Sequence, residues 1–365
     1  MKDKVDYIIV GGGIAGCTLA YHLIEMNKSV IVYDKPNSQS ASRVAAGLYN
    51  PITGRNMINT WKADLIFPYL KKFYSEIEAI TNKKFLVEKE IYRPFHTIEE
   101  QNEWMSRSTD ESYIPYINCI YQKSRSESYK DQYGGIALAN AGYLNVELYL
   151  LSIRTCLEEK GVSFYEQQFE IENLRRSGSS LVYNNKEVDS IIFCDGASSL
   201  ENQFFSWLPH KLIKGELLEI ASEMPEIDRI INRGVFVLPK SENRFKVGST
   251  YENDNPTLTP TEKGKNEIET KLKELINVDY KVVGHTVGIR PGTRDRKPFI
   301  GMHPIFNKVG IFNGLGAKGV SQAPYFANQF ARFLVNQTEL DREIDIKRYY
   351  SYFDSKTATF DLNEE

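Results

Sequence analysis

Apolar residues at the start of the chain form two short runs separated by a longer periodic stretch. The runs Val5–Val10 and Val30–Tyr33 are rich in β-branched residues, which predicts two buried strands. From Ile14 onward the apolar residues follow a helical pattern, so a helix is expected between these strands. The pattern predicts a strand–helix–strand unit whose second strand ends at Asp34.

The turn between the first strand and the helix contains Gly11, Gly13 and Gly16 in the pattern G-x-G-x-x-G. The first glycine permits a tight turn, the second lets the backbone approach a pyrophosphate, and the third lets helix and strand pack closely. The helix N-terminus offers free N–H groups to the phosphates. Asp34 lies 23 residues after Gly11, near the spacing of about 20 expected of an acid that binds a ribose hydroxyl. The alternative is a glycine-rich turn without a ligand.

Helical periodicity alternates with short β-type runs over the rest of the chain. Helices are predicted over 63–80, 98–107, 146–159, 261–276 and 320–335. Strands are predicted over 85–87, 91–92, 133–138, 162–165, 188–194, 212–220, 235–238, 245–249, 282–287 and 309–312. We expect two domains: a dinucleotide-binding domain built from 1–60, 141–211 and 282–365, and a substrate domain formed by the insertions 61–140 and 212–281.

Composition narrows the class of protein. The chain has 365 residues, of which 41% are hydrophobic, so a large core is available. Its 45 basic and 48 acidic residues give a net charge of -3, which favours neither general nucleic-acid binding nor membrane binding. No apolar run reaches the length of about 18 residues that a membrane span requires, and no signal peptide precedes the first strand. The four cysteines lack metal-like or disulfide-framework spacing, so we expect a cytoplasmic protein without a metal.

A second group of candidate residues lies near the end of the chain. The segment 288–298 is rich in turn formers and charge, and Arg290 stands beside Pro291 at the end of an apolar strand. An arginine there is suited to bidentate binding of a carboxylate. A solvated basic loop is the alternative, and we favour it for Arg294, Arg296 and Lys297. The glycine-rich segment 313–320 forms another strand-to-helix turn, which predicts a second anion-binding helix start.

The segment from Ser42 to Gly47 contains mostly small residues, which let backbone come close to a flat or charged group. Ser42 and Arg43 could reach the pyrophosphate. A helix N-cap followed by a solvated arginine explains the same residues, and both interpretations stay open.

Taken together, these motifs resemble the FAD-dependent D-amino-acid oxidase (DAO) family, which includes glycine oxidase, sarcosine oxidase and the FAD domain of a tRNA-modifying enzyme. The resemblance spans nearly the whole chain. It is carried by 11–16, Asp34, 42–47, 142–146, 193–197, 214–216, 288–291 and 313–319. It implies an α/β protein with a Rossmann-like FAD-binding domain of the DAO type. It also implies an inserted α+β substrate domain that contains a mixed or antiparallel sheet.

The resemblance also implies individual site residues. FAD would be bound by Gly11, Gly13, Ile14, Ala15, Gly16, Asp34, Lys35, Ser42, Arg43, Ala46, Gly47, Phe169, Gly196, Gly314, Gly316, Ala317, Lys318 and Gly319. Arg290 would bind the substrate carboxylate, and Lys318 would help stabilise negative charge on the flavin. Two segments depart from the family pattern: Cys194-Asp195-Gly196 replaces Ala-x-Gly, and Ala317-Lys318 replaces the Arg-Asn of glycine oxidase.

The expected activity is oxidation of the C–N bond of an amino acid or N-substituted glycine, with hydride transfer to flavin N5. His285 and Tyr251 are weaker candidates for lining the substrate site. A flavoprotein monooxygenase that uses NAD(P)H and a non-catalytic FAD-binding protein are the alternatives. A tRNA substrate is a narrower variant, which the net charge of -3 disfavours.

Overall fold

The computed structural model describes residues 4–35, 37–54, 56–178, 180–224, 228–254, 256–354 and 363–364. Within these ranges the α-helices are α1 Ile14–Glu25, α2 Ala41–Val44, α3 Ala63–Thr81, α4 Ile98–Arg107, α5 Val146–Glu159, α6 Glu262–Lys273 and α7 Gly319–Asn336. None of these helices is long and apolar enough to span a membrane.

The strands of the same ranges are short at the start of the chain and longest in its second half. They are β1 Lys4–Val10, β2 Val30–Tyr33, β3 Leu48–Tyr49, β4 Ile52–Thr53, β5 Ile58–Asn59, β6 Leu86–Glu88, β7 Ile91–Pro94, β8 Ile117–Tyr121, β9 Gly135–Leu138, β10 Gly142–Leu144, β11 Ser163–Tyr165, β12 Leu174–Ser177, β13 Ser180–Tyr183, β14 Lys186–Phe193, β15 His210–Ala221, β16 Ile230–Arg233, β17 Val235–Ser241, β18 Arg244–Gly248, β19 Lys281–Thr293, β20 Phe299–Met302, β21 Val309–Asn313 and β22 Asn363–Glu364.

A nine-stranded sheet contains the strand–helix–strand unit that the sequence predicts. Its centre is formed by five parallel strands in the order β11-β2-β1-β14-β21. The strands β13 and β20 join antiparallel, and β12 and β22 extend the β13 side. Because parallel strands all end at one edge of a sheet, the turns after β1, β2, β14 and β21 lie close together.

This sheet is buried on both faces, as its nearly continuous apolar strands predict. Ile9 and Ile192 point to one face, where they pack with the apolar sides of α1, α3, α5 and α7. Their neighbours Ile8 and Ile191 point to the other face and pack with a second cluster that includes Phe204. The four isoleucines are completely buried.

An eight-stranded sheet has the order β19-β15-β18-β17-β16-β7-β9-β8 and is antiparallel except for the β16–β7 pair. Helix α6 covers one face through Ile268 and Leu272. The other face contributes Leu217, Phe236 and Leu238 to a separate cluster. This face is turned toward the glycine-rich turns of the first sheet, because the partly buried residues of 44–48 pack against the same cluster.

Strand β19 corrects one prediction. The strand predicted over 282–287 was expected to end at Arg290, because 288–298 is rich in turn formers, but 288–293 is extended and pairs with β15 along its whole length. Arg290 therefore lies inside a strand, opposite Ile213, and not at a strand end. The partner strand supplies hydrogen bonds that local turn propensity does not take into account. The division of the chain into two domains stays a prediction.

Candidate active site

A cavity of about 950 Å³ lies between the carboxyl ends of the parallel strands and the open face of the eight-stranded sheet. The crevice beyond the carboxyl ends of parallel strands is where doubly wound α/β proteins bind ligands. Most of the predicted site residues line it: Gly11, Gly13, Ile14, Ala15, Asp34, Lys35, Ser42, Arg43, Ala46, Gly47, Phe169, Gly196, Arg290, Gly316, Ala317 and Gly319.

Three predicted site residues do not line the cavity: Gly16, Gly314 and Lys318. A Cβ atom on Gly16 would collide with the carbonyl of Gly11, so this glycine permits close packing of α1 on β1. A Cβ atom on Gly314 would collide in the same way with Thr293. The role of Lys318 as a site cation stays a prediction. Burial lowers the pKa of its ammonium group, and the nearby cations Arg296 and Lys297 lower it further.

One wall of the cavity, which we call the cradle, consists of 11–15 together with Asp34, Ser42 and Arg43. Gly11 has a φ angle of 109°, and a Cβ atom there would collide with the carbonyl of Cys194. A Cβ atom on Gly13 would lie 2.9 Å from Ser42 Oγ. The N-cap of α1 is Gly13, and the first turn of the helix has no acidic side chain. The positive end of the helix dipole therefore faces the cavity.

Asp34 and Ser42 are each tied to the glycine-rich turn. Asp34 Oδ1 accepts a hydrogen bond of 2.9 Å from Gly12 N, which places the carboxylate at the cavity edge. Ser42 Oγ accepts a bond of 3.2 Å from Ile14 N, in the first turn of α1. The Ser42 hydroxyl therefore caps the neighbouring helix α1 and not the short helix α2 to which Ser42 belongs. Neither of the two interpretations from the sequence included this contact.

Next to the cradle, the cavity wall contains an aromatic residue. Phe169 lines the cavity, and its ring stacks on Tyr183 with the centroids 4.2 Å apart. Gly196, with a φ angle of 61°, begins the turn that follows β14. Lys35 Nζ donates a hydrogen bond of 3.3 Å to Oε1 of Gln168, the residue before Phe169. The arrangement is suited to a planar ring, which is the part of a dinucleotide expected beyond its ribose.

Asp195 is a cavity residue that the sequence analysis noted only as a departure from the family pattern. Its Oδ1 accepts a hydrogen bond of 3.0 Å from Asn313 Nδ2, and its Oδ2 accepts one of 3.0 Å from Asn202 Nδ2. Burial raises the pKa of this carboxyl to about 6, although the hydrogen bonds from both amides oppose the shift. Asn313 also donates to Gly196 O, so this cluster joins the turns after β14 and β21.

The opposite wall, which we call the arginine wall, consists of Gly215, Leu217, Phe236, Ser249, Gly288 and Arg290. Arg290 Nη2 donates a hydrogen bond of 2.7 Å to Ser249 Oγ, and Nη1 donates one of 3.2 Å to Thr250 O. The guanidinium lies flat over Gly215, where a Cβ atom would collide with it. Burial lowers the pKa of Arg290, yet a guanidinium remains charged in proteins. Three of its five N–H groups have no partner among the described residues and can bind an anion.

Behind the arginine wall, charged groups are completely buried. Glu216 and Lys214 flank Gly215 on β15, their side chains are 1% and 2% exposed, and their charged atoms lie 3.2 Å apart. Glu216 also accepts hydrogen bonds from Thr261 N, at 2.9 Å, and from Thr261 Oγ1, at 2.8 Å, at the N-cap of α6. Burial opposes ionisation of Glu216, but the bonds from Thr261 and Lys214 hold its pKa below the ordinary value. This cluster fixes the strand on which the guanidinium rests.

The two weaker candidates have other surroundings. His285 Nε2 lies 2.7 Å from Glu216 Oε2 on the reverse side of the sheet, which is the structural role expected of an isolated histidine. Tyr251 is 58% exposed and is not part of the lining. The sequence analysis did not single out Lys246, whose Nζ donates hydrogen bonds of 3.3 Å to Val44 O and Ala45 O. The presence of a lysine in the apolar strand 245–249 could have indicated that this side chain has a specific partner.

Comparison with known proteins identifies the class. The family model described as FAD dependent oxidoreductase (DAO) matches residues 6–332. The chain therefore belongs to the DAO family of FAD-dependent oxidoreductases. It is 24% identical to the uncharacterized oxidoreductase YurR of Bacillus subtilis over 92% of this chain and 96% of that protein. It is 22% identical to glycine oxidase of Pseudomonas aeruginosa over 89% of this chain and 92% of that protein.

The solved structures agree with the family assignment. The crystal structure of glycine oxidase from Geobacillus kaustophilus superposes with a TM-score of 0.78 at 19% identity, over 95% of this chain and 98% of that one. The predicted fold class and the prediction of an FAD-dependent oxidoreductase are confirmed. The residues present also fit the cofactor, because the cradle brings bare backbone, a helix N-terminus and Asp34 to one wall of the cavity.

Proposed function

We propose that the protein oxidises the C–N bond of an amino acid or N-substituted glycine whose carboxylate is bound by Arg290. The observation that carries this proposal is the arginine wall. A guanidinium with free N–H groups faces a cavity whose other wall fits FAD. The names of the glycine oxidase relatives support the same class of substrate.

Arg290 has the contacts needed to orient a substrate. Ser249 and Thr250 hold the two Nη atoms, and Gly215 supports the guanidinium plane, so the group is fixed before a ligand arrives. A planar, fixed guanidinium binds a carboxylate through two parallel hydrogen bonds. Bidentate binding sets the direction of the adjacent C–H and C–N bonds, and such orientation can supply several kcal/mol of rate acceleration.

The other site residues would hold the cofactor and its charge. Bound FAD supplies the hydride acceptor. We infer that the cradle and Gly196 hold its pyrophosphate and adenosine parts. The start of α7, where Gly316 and Gly319 line the cavity, would face the flavin. The first turn of α7 has no acidic side chain, so its N–H groups favour negative charge, with Lys318 as an added cation nearby.

The substrate amine has to be neutral before the hydrogen on the adjacent carbon can leave as hydride. Within the described part of the chain, the arginine wall contains no carboxylate or histidine that could remove the ammonium proton. We therefore infer that solvent takes the proton. The kcat/KM for an amine substrate should rise with pH until the amine of the free substrate is deprotonated.

An anaerobic absorbance experiment tests the proposed function. Purified protein with FAD is mixed with glycine, N-methylglycine, N-ethylglycine and both enantiomers of alanine and proline. Bleaching of the flavin by at least one of them is expected, and admission of air then separates an oxidase from a dehydrogenase. Bleaching by NAD(P)H alone would establish the monooxygenase alternative. Flavin that none of these compounds reduces would favour a non-catalytic FAD-binding protein.

A further inference from the structure

We propose that the substrate has a single carboxylate and a compact apolar substituent, and that Leu217 and Phe236 form the surface that recognises this substituent. The proposal rests on the proposed function, because it places the carboxylate on Arg290. It adds the substrate class and two specificity-determining residues.

The distribution of charge along the cavity is the first argument. The charged lining residues outside the eight-stranded sheet are Asp34, Lys35, Arg43, Asp195 and Glu201. Among the described residues that the eight-stranded sheet contributes to the lining, Arg290 is the only charged one. A substrate carboxylate bound there has one counter-charge, and a second carboxylate on the same substrate would be desolvated without a partner.

Lys246 is the cation that could challenge this argument. It lies on the same face of the sheet as Gly248, two residues earlier on β18. Its ammonium group donates to Val44 O and Ala45 O and does not line the cavity. To bind a substrate carboxylate, Lys246 would have to give up both bonds that hold the end of α2.

The register of the sheet places the apolar surface beside the guanidinium. Arg290 pairs with Ile213, and its guanidinium reaches along β15 to lie over Gly215. Leu217 is the next residue of β15 on the same face, about 7 Å farther along the strand. In the neighbouring strands Leu217 pairs with Gly248, and Gly248 pairs with Phe236, so all three point to the same face.

Gly248 lets the two apolar side chains meet. A Cβ atom at Gly248 would collide with Leu217 Cδ2, so the leucine spreads across the glycine toward Phe236. Leu217 is 5% exposed and Phe236 is 9% exposed, and both line the cavity. Groups two to four bonds from a carboxylate on Arg290 would contact this surface. Each methylene buried there should improve binding about fourfold.

Binding of unreactive carboxylates to the FAD-loaded protein tests the proposal without turnover. Acetate, propionate, butyrate, malonate and succinate are titrated, and the change in flavin absorbance is followed. For the natural sequence, affinity should increase about threefold to fourfold for each methylene from acetate to butyrate. Malonate and succinate should bind at least tenfold more weakly than propionate and butyrate, respectively.

The variant Phe236→Ala should flatten the chain-length series while acetate binds almost as before. Leu238→Ala is the matched control, because Leu238 is buried two residues later on β17 and does not line the cavity. Leu238→Ala should destabilise the sheet as much as Phe236→Ala does. The increase of affinity from acetate to butyrate should remain in Leu238→Ala. An unchanged series in Phe236→Ala, or malonate binding as tightly as propionate, would overturn the proposal. Carboxylates that bind equally well to Arg290→Ala would instead overturn the proposed function.

Discussion

The two walls of the cavity are built from different chemical groups. The cradle consists mainly of backbone N–H groups, a helix N-terminus and glycines packed against neighbouring backbone, with the side chains of Asp34, Ser42 and Arg43 beside them. The arginine wall is centred on one guanidinium, which reaches its place because β15, β18 and β19 are in a particular register. A site built from backbone tolerates changes in neighbouring side chains but no Cβ atom on its own glycines, whereas a guanidinium site depends on every contact that fixes its direction.

This comparison has a functional consequence. The cradle can hold a common cofactor whatever the substrate, because most of its groups are backbone atoms and none of its residues belongs to the arginine wall. The arginine wall can change its substrate through single side chains, such as Phe236, without altering the cradle. Damage to the two walls should therefore be separable: cradle variants should lose FAD, and arginine-wall variants should keep it.

The largest expected effect is that of Arg290→Ala. We expect kcat/KM to fall about a thousandfold, close to 4 kcal/mol, because a desolvated bidentate charge pair is lost. FAD content should stay unchanged. Steady-state kinetics and the absorbance ratio of flavin to protein measure both quantities. The control is Arg294→Ala, an exposed arginine on the next turn, which should behave like the natural sequence. A normal kcat/KM in Arg290→Ala would refute its role as anchor.

The support behind the arginine wall gives the next effect. Glu216→Gln should lower the free energy of unfolding by about 3 kcal/mol, because Lys214 then stays buried without a counter-charge. Urea unfolding followed by tryptophan fluorescence measures this. The double variant Lys214→Met with Glu216→Gln should recover part of the loss. Glu267→Gln, in a half-exposed pair with Lys271, should cost less than about 0.5 kcal/mol. Equal losses of stability in Glu216→Gln and Glu267→Gln would contradict this role of the buried Lys214–Glu216 pair.

A change in the cradle should act on FAD alone. Gly11→Ala places a side chain at a φ angle of 109° and in collision with the carbonyl of Cys194, so we expect FAD affinity to fall about thirtyfold, or about 2 kcal/mol. Titration of the apoprotein with FAD measures the change. Gly161→Ala is the matched control, since its φ angle is 91° but no atom lies within 4 Å of the new Cβ. Gly161→Ala should bind FAD normally. An equal loss of FAD affinity in Gly161→Ala and Gly11→Ala would mean that backbone strain at a positive φ angle is responsible, and not the collision.

The smallest predicted effect concerns Asp195, which joins the turn after β14 to the turn after β21. The pKa of Asp195 in the folded protein is raised to about 6, so its stabilising contribution is complete below the ordinary pKa and is lost as pH rises through 6. In Asp195→Asn this dependence disappears. The stability of the variant relative to the natural sequence should rise by about 1 kcal/mol between pH 5 and pH 7. Urea unfolding at both pH values measures it, and a constant difference would contradict the titration of Asp195.

Prediction from the sequence succeeded where the signal was local. The unit from β1 to β2 and the helices α3, α4, α5 and α7 follow from apolar periodicity. The turn marked by the three glycines lies at the cavity, and the FAD-binding role of the cradle residues stays a prediction. The strand β12 was missed because Arg175 and Arg176 show no β-type alternation. The strands β8 and β13 were also missed, although they contain β-type residues. These strands exist because a neighbouring strand pairs with them.

The sequence by itself determined the dinucleotide-binding turn, because this turn consists of neighbouring residues and needs only its own strand and helix. The resemblance of the motifs to the DAO family then implied FAD and the fold class. The sequence also marked Arg290 as a candidate. Only the tertiary structure decided that Arg290 lies inside a strand, that Gly215 supports it from 75 residues away, and that Leu217 and Phe236 continue the same surface. Strand register and long-range packing set these relations. No short stretch of sequence encodes them, since each depends on which distant strands pair.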